Sequence, residues 1–300
     1  MSTQQLPAEQ LTSVAAPMRK STLYWRRFRR NKAAVIGSVI FLGLIVFALI
    51  GPLTAKWDFN EPDFMALSEP PSAEHWLGTN DSGNDLYAMI VQGLRRSLVI
   101  AVLVSGATTV IAAIVGTAAA LLGGWPERLI LALIHFLFVV PSFLLTALVV
   151  SGSGGDWRLL VIVLIVFGWM SYARVVWSLT VSLREREYVQ AARYMGVSSW
   201  RIMLRHLIPN IGSLLVLNLT LGVVGAVMSE TGLSFLGLGV KIPDVSLGVL
   251  LASGANSIES APWLFFAPAA ILTLLTTSMA FVADGLRDAL DPNSSAGGKA

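Results

Sequence analysis

The chain has 300 residues, of which 55% are hydrophobic and only 13% are charged. Soluble domains carry roughly 25% charged residues, so this composition argues against a soluble enzyme, a disordered chain or a secreted disulfide domain. The net charge of +3, the mean hydropathy of +0.70 and the absence of cysteine favour a multi-spanning membrane protein without thiolate metal ligands. With only three histidines as well, we expect no metal site and no cofactor.

The N-terminal region, residues 1–32, is basic where it approaches the first apolar stretch. The segment LYWRRFRRNK combines Trp25 and Phe28 with five basic residues. This pattern is typical of an interfacial helix on the anionic cytoplasmic leaflet, and equally of a plain positively charged anchor. Residues 1–18 and 293–300 are polar and rich in small residues, and we expect both to be disordered tails.

Six charge-poor stretches follow, each long enough to cross a hydrocarbon core about 30 Å thick, which takes about 20 residues. We expect the first, residues 33–53, to be a span and not a cleaved signal peptide, because no small-residue cleavage site follows it. Only the fourth stretch contains a charge, Arg174, which we expect to snorkel to the inner interface. The six stretches lie between Lys32 and Lys56, Arg96 and Glu127, Arg128 and Asp156, Leu159 and Leu183, Arg205 and Glu230, and Glu259 and Asp284.

The distribution of charge predicts the orientation. Basic residues concentrate before the first stretch and between the fourth and fifth, whereas the loop 54–94 is acidic. Because basic loops stay in the cytoplasm, we place both termini and the connection between stretches four and five inside, and residues 54–94 outside. The expected fold is all-α with six transmembrane helices, a transmembrane core over residues 95–288 and a cytoplasmic tail over residues 289–300.

The segment between the fifth and sixth stretches, Leu236 to Trp263, is too polar to cross a membrane. It also contains Pro243 and Pro262, which interrupt helices. We expect a short re-entrant or surface segment there, on the outer side.

The connection between the fourth and fifth stretches, residues 183–210, is too long for a turn, and we call it the elbow. The spacing from Glu187 to Met195 predicts a helix, and Gly196 ends it as a C-terminal glycine does. A second short helix, capped by Ser198 or Ser199, then leads to Pro209 at the start of the fifth span.

One face of the first elbow helix has no lipid to cover it. This face consists of Tyr188, Ala191, Ala192 and Met195. It is typical of a docking surface, on which the two alanines admit a partner backbone while Glu187 and Arg193 make charged contacts at the rim. An amphipathic helix lying on the inner leaflet has the same pattern, and the pattern alone does not separate the two.

The stretch EYVQAARYMGVSSWRIMLRHLIPN resembles the EAA loop of the permease subunits of binding-protein-dependent ABC importers. In that family the loop reads roughly E-A-A, three residues, Gly, nine residues, I-x-L-P. Gln190 stands where the family has Glu, and Glu187 nearby offers a carboxylate in its place. The ending, with Arg205 and His206, resembles the peptide/nickel branch of the family. The matching positions are Gln190, Ala191, Ala192, Gly196, His206, Ile208 and Pro209.

Other stretches are similar to the same branch. HWLGTNDSGNDLYAMIVQGLRRSL resembles its L-G-T-D-x-x-G-R-D segment, with Asn80 and Asn84 in place of Asp and Arg. ETGLSFLGLGV resembles its E-A-x-L-S-F-L-G-L-G signature, and RRFRRNKAAVIGSVIF its N-terminal segment. PSFLL around Pro141 also fits, although the family's upstream Arg and Asp are Ala132 and His135 here. The resemblance covers about residues 20–290 and is nearest to the C-type permease of dipeptide and oligopeptide importers.

The resemblance implies a type I ABC importer permease fold in the bacterial inner membrane and a transport subunit that is not an enzyme. With a second, B-type permease it would form the pathway for peptides that an extracytoplasmic binding protein delivers, and ATP-binding cassette subunits would supply the energy. A nucleic acid is not among the implied partners, and the substrate-binding residues are not indicated. The residues implied in coupling to the ATPases are Glu187, Gln190, Ala191, Ala192, Arg193, Gly196, Arg205 and Pro209.

The chain has no G-x-x-x-x-G-K-[ST] phosphate loop, so we expect it not to bind ATP by itself. Three alternatives stay open: a proton-coupled secondary transporter, a structural assembly subunit, and a same-family importer of nickel chelates or other small solutes. The first needs ionisable residues within the spans, and Arg174, Glu230 and His135 are the candidates. We expect Glu230 to be an interfacial carboxylate and His135 to be a helix-packing histidine.

Overall fold

The computed structural model describes residues 20–152, 154–241 and 244–290, so the two predicted tails and Pro243 lie outside the described residues. Within these ranges the regular elements are helices, as predicted, and a π-helical turn, Met203–Leu207, joins α8 to α9. The helices are α1 (Lys20–Arg30), α2 (Lys32–Thr54), α3 (Leu86–Leu122), α4 (Gly124–Val139), α5 (Ser142–Ser151), α6 (Trp157–Arg184), α7 (Glu187–Tyr194), α8 (Ser199–Ile202), α9 (Ile208–Asn210), α10 (Gly212–Phe235), α11 (Leu247–Asn256) and α12 (Trp263–Leu290).

Among the described residues, five helices are long and apolar enough to cross a membrane, namely α2, α3, α6, α10 and α12. The third predicted span, between Arg128 and Asp156, is a bent pair, because α4 and α5 meet at an angle of 69°. The described residues therefore contain the six expected spans when this broken pair counts as one. Pro141 lacks an N–H and pushes the residue before it out of the helical region, and Val140 accordingly has φ −73° and ψ 125°.

The N-terminal basic segment forms α1, a helix separate from the first span. Asn31 lies at the joint between α1 and α2, and its Oδ1 accepts a hydrogen bond from the Ala34 N–H at 3.1 Å. Its Nδ2 donates to Asp288 Oδ2 on α12 at 3.0 Å. The capping residue of α2 thus also fastens α1 and α2 to the inner end of the last span.

The second span, α3, is 37 residues long and begins at Leu86, inside the predicted outer loop and ahead of the expected core boundary at residue 95. Asp85 caps it, with its Oδ1 accepting from the Ala88 N–H at 2.8 Å. At 1.5 Å per residue the helix is about 55 Å long, so it extends well beyond a hydrocarbon core of about 30 Å. α3 packs along α6 and α10, while α2 packs against α12.

The segment between α2 and α3 is a folded loop. His75 is 1% exposed, stacks on Trp57 with a centroid distance of 5.0 Å, and places its Nδ1 3.0 Å from Asp85 Oδ2. Asp63 Oδ2 lies 3.6 Å from the other ring nitrogen, Nε2. The Trp263 indole donates to the Thr79 carbonyl at 3.3 Å, which ties this loop to the start of α12.

The segment after α10 contains the short helix α11, which packs against α3, α10 and α12. With 10 residues α11 is too short to cross a bilayer, in agreement with the expected short outer segment.

The three ionisable candidates within the spans differ in exposure. Arg174 on α6 and His135 on α4 are exposed, so the expected packing of His135 against other helices is wrong within this chain. Glu230 is 1% exposed, so the expectation of an interfacial carboxylate is wrong too. It lies one turn before the end of α10, where α11 covers it.

Candidate functional site

The elbow lies between the C-terminal end of α6 and the N-terminal end of α10. Val189 and Ala192 of α7 face Ile202, Met203 and Leu207 of the second arm, and all five are buried. Leu121, at the end of α3, completes this cluster. This separate apolar cluster therefore packs the elbow against α3, the longest span.

Gly196 ends α7, as predicted, in a left-handed conformation with φ +74°. The Val197 N–H donates to the Ala192 carbonyl at 3.1 Å, and the Gly196 N–H to the Arg193 carbonyl at 3.0 Å. This is the pair of bonds in a Schellman motif, which satisfies carbonyls that the helix end would leave free. A Cβ at Gly196 would meet no atom within 4 Å, so the need for glycine here is conformational.

The predicted exposed face of α7 needs one correction. Ala191 is exposed, but Ala192 is 3% exposed and lies in the apolar cluster under the elbow. Adjacent residues of a helix point about 100° apart, and here Ala192 points towards the buried cluster whereas Ala191 points to solvent. The exposed surface continues instead through Tyr194, Met195 and Trp200, which are 87%, 76% and 59% exposed.

Among the other residues implied in coupling, Glu187, Arg193, Arg205 and Pro209 are exposed. Gln190 is half-buried, and its Nε2 donates to the Arg184 carbonyl at 3.1 Å, at the end of α6. A glutamate has no N–H to donate to this carbonyl, so Gln190 provides a contact that the family's usual carboxylate would not.

The second arm of the elbow contains the π-helical turn. Pro209 has no N–H for the regular bond to residue 205, and the Ile208 N–H bonds to the Met203 carbonyl across a wider turn. Asn210 then connects the two arms, because its Nδ2 donates to Tyr188 Oη at 2.9 Å.

A cavity of about 320 Å³ lies beside the break between α4 and α5. Its lining carries no charged side chain, and its polar groups are hydroxyls from four helices. None of these residues is predictable from the sequence, since isolated Ser and Thr in apolar helices give no periodic signal. The proline at the break is the available indication. The hydroxyl residues are Thr108, Ser142, Thr146, Ser171, Tyr172 and Ser229.

Within the described residues, no group of three His, Asp or Glu side chains is placed to hold a metal ion. The chain instead combines apolar spans, an uncharged cavity between them and a rooted elbow with an exposed rim. These features define a multi-pass membrane transport subunit.

The sequence model of the family described as binding-protein-dependent transport system inner membrane component matches residues 109–295. The chain belongs to this family, which confirms the predicted resemblance and places the protein in the inner membrane. A second model, described as the N-terminal transmembrane domain of oligopeptide transport permease C, matches residues 22–71.

Curated relatives agree over nearly the whole length. The oligopeptide transport system permease protein OppC of Mycobacterium tuberculosis is 46% identical over 277 residues, covering 92% of this chain and 95% of the relative. The Bacillus subtilis protein of the same name is 33% identical over 279 residues, covering 91% of each. A putative peptide permease protein of Brucella suis is 35% identical over 290 residues, covering 95% of this chain and 94% of the relative.

Proposed function

We propose that this chain forms, with a second permease, the membrane pathway of an ATP-driven importer of di- and oligopeptides. The support is the family and the relatives named for peptide or oligopeptide transport. The chain has no phosphate loop of its own, so two ATP-binding cassette subunits would supply the energy. An extracytoplasmic binding protein would deliver the peptide to the outer loops.

The observation that carries the coupling part of this proposal is the two-sided elbow. One side, with Ala192 and Leu207, is packed on the end of α3, and the other side presents Ala191, Tyr194 and Met195 to solvent. Because the buried side packs on α3, an ATPase bound to the exposed side would move the spans whenever it moves the elbow. Six of the eight implied coupling residues thus fall into two groups. Ala192 and Gln190 fix the elbow to the rest of the chain, and the exposed residues Glu187, Ala191, Arg193 and Arg205 would face the partner.

The uncharged cavity is our candidate for part of the peptide pathway. Hydroxyl groups both donate and accept hydrogen bonds, so they suit the peptide main chain, which is the same in every sequence. A fixed charge would favour some side chains and reject others. A lining of Ser, Thr and Tyr therefore fits a solute class of variable side chains.

The test is reconstitution of the complete complex in proteoliposomes, with the chain, its partner permease, the ATPases and the binding protein. We expect labelled peptide to accumulate only with ATP on the ATPase side. Unlabelled dipeptides, oligopeptides and nickel chelates are then added as competitors. Competition by chelates and not by peptides would overturn the peptide assignment and favour the same-family alternative.

An ionophore control separates the mechanisms. Uptake that needs no ATP and stops when the proton gradient is collapsed would favour a proton-coupled transporter and overturn the proposal. Normal uptake by a complex that lacks this chain would show a dispensable assembly role, and would also overturn it.

A further inference from the structure

The carboxylate of Glu230 is enclosed although it belongs to a membrane-spanning helix. Its Oε1 accepts hydrogen bonds from Ser234 Oγ at 2.7 Å, on the same helix, and from Ser246 Oγ at 2.6 Å. Its Oε2 is buried without a side-chain hydrogen-bond partner. Burying a carboxylate is expensive unless its surroundings compensate for the lost water, so the neighbours of Oε2 are informative.

The first turn of α11 lies against this carboxylate. Ser246 is the N-cap of α11, and its Oγ also accepts from the Val249 N–H at 3.2 Å. A Cβ added at Gly248 would lie 2.9 Å from both oxygens of Glu230, so the backbone of this turn approaches the carboxylate directly. The start of a helix carries free N–H groups and partial positive charge, which stabilise an anion. Glu230 thus links α10 to α11 from a buried position.

Two further contacts hold the same end of α11 to α3. The Leu247 N–H donates to Ser97 Oγ at 3.2 Å, and Arg96 pairs with Asp244 just before the helix. The beginning of α11 is therefore the point where α3, α10 and the outer segment meet.

α11 separates two outer cavities. One, of about 630 Å³, lies towards the folded loop before α3, and the other, of about 610 Å³, lies towards the turn after α10. Val249, Ser253 and Asn256 line both of them. The position of α11 consequently sets the width of both cavities on the side where a delivered solute arrives.

We propose that Glu230 is a positioning residue for transport. Through its hydrogen bond to Ser246 and its contact with the first turn of α11, it fixes the position of α11 between the two outer cavities. Import requires this attachment of α11 to be intact. The inference rests on the proposed function, because it takes the outer end as the side of delivery. In this role the buried Glu230 side chain acts through its position and transfers no proton.

The chain has no cysteine, so a pair of introduced thiols reports on α11 without background from this chain. Ser253→Cys on α11 and Ser82→Cys on the folded loop are the chosen pair, because both residues line the larger cavity. In the complete complex, the rate of cross-linking by a short bifunctional maleimide measures the position of α11. Peptide uptake is measured in parallel on the cysteine-free chain.

Glu230→Gln keeps Oε1 as an acceptor but places a donor against the N–H groups of α11, and Ser246→Ala removes the connecting hydroxyl. The matched control is Ser234→Ala, which removes a donor to the same oxygen but leaves α11 attached. We expect Glu230→Gln and Ser246→Ala each to change the cross-linking rate and to lower uptake by roughly two- to tenfold, the range for the loss of one hydrogen bond. Ser234→Ala should change the cross-linking rate little.

The proposal is overturned if Ser246→Ala cross-links at the same rate as the parent, or if Ser234→Ala and Ser246→Ala change the rate equally. Full peptide uptake by Glu230→Gln would also overturn it. If the parent complex imports no peptide, the proposed function fails, and the cross-linking rates still decide whether Glu230 positions α11. Because Ser246→Ala removes a single oxygen, it serves even where Glu230→Gln fails to fold.

Discussion

Arg184, the last residue of α6, lies with its Nη1 3.6 Å from Oε2 of Glu127 in the first turn of α4. The same Nη1 donates to the Ala120 carbonyl at 2.6 Å, near the end of α3. Glu127 in turn accepts from the Trp177 indole at 2.7 Å. One guanidinium therefore joins the inner ends of three spans at the point where the elbow begins.

We expect Arg184→Ala to destabilise the folded complex by about 1–3 kcal/mol, because it leaves a partly buried carbonyl and carboxylate without their charged donor. Arg184→Lys should recover only part of the loss, since an ammonium cannot span both acceptors as the planar guanidinium does. Thermal unfolding of the purified complex measures this. Arg186→Ala is the matched control, because Arg186 is exposed and its side chain makes no hydrogen bond or ion pair among the described residues. An equal effect of both variants would contradict the assigned role.

Tryptophan at the two adjacent alanines should give two different defects. Ala191→Trp places bulk on the exposed rim, so we expect a folded chain that no longer co-purifies with its ATPases. Ala192→Trp overfills the cluster under the elbow, which costs about 1–3 kcal/mol or more, so we expect less folded chain. Abundance in the membrane and co-purification with the ATPases separate the two outcomes. Loss of the ATPases without loss of folded chain in Ala192→Trp would contradict this division.

At Gly196 we expect a graded series. Ala should cost about 1–2 kcal/mol, because left-handed φ strains any residue with a Cβ, and Asn should cost less. Pro should be worst, since it fixes φ near −65° and removes the N–H that bonds to Arg193. ATP-driven uptake, normalised to the amount of complex, gives the order. Gly212→Ala is the control, because a Cβ there also meets open space but φ is not positive. If all Gly196 variants and the parent show equal uptake, the turn at Gly196 plays no part in coupling.

Filling the uncharged cavity should stop transport without preventing assembly. A Cβ at Gly225, which lines the cavity, would meet no atom within 4 Å, so we expect Gly225→Phe to fold and to obstruct the pathway. Gly43→Phe on α2 is the control, because its Cβ position is equally open and lies outside the cavity lining. Uptake and ATP hydrolysis are measured together. Normal uptake by Gly225→Phe would remove this cavity from the pathway.

The stability of the folded loop between α2 and α3 should depend on His75. His75→Ala leaves Asp63 and Asp85 without the ring that lies between them and removes the partner stacked on Trp57, so we expect a loss of about 1–3 kcal/mol, confined to the loop. Protease added from the outer side should then cut the loop faster. His135→Ala, at an exposed position on α4, should leave the cleavage rate unchanged. Equal cleavage of the His75 variant and the parent would refute the assignment.

Much of the architecture follows from the sequence, because a bilayer fixes the length of an apolar span. Six stretches, the elbow and its terminating glycine can all be predicted from local patterns. The burial of Ala192 cannot, because the cluster that encloses it includes Leu121, which is distant in the sequence. The burial of Glu230 is equally non-local, since it depends on Ser246 and Gly248 of a separate helix. Local periodicity indicates which residues share a face, and tertiary packing decides which face is covered.

The second span reaches both ends of the molecule without a proline. Asp85, at its first turn, contacts the imidazole of the outer loop, and Leu121, at its last turn, lies under the elbow. Because no proline interrupts α3, we expect a tilt imposed at its Asp85 end also to displace the contact between Leu121 and the elbow. In the proposed importer, binding of the delivery protein near the start of α3 would therefore shift the elbow at its other end through this single helix.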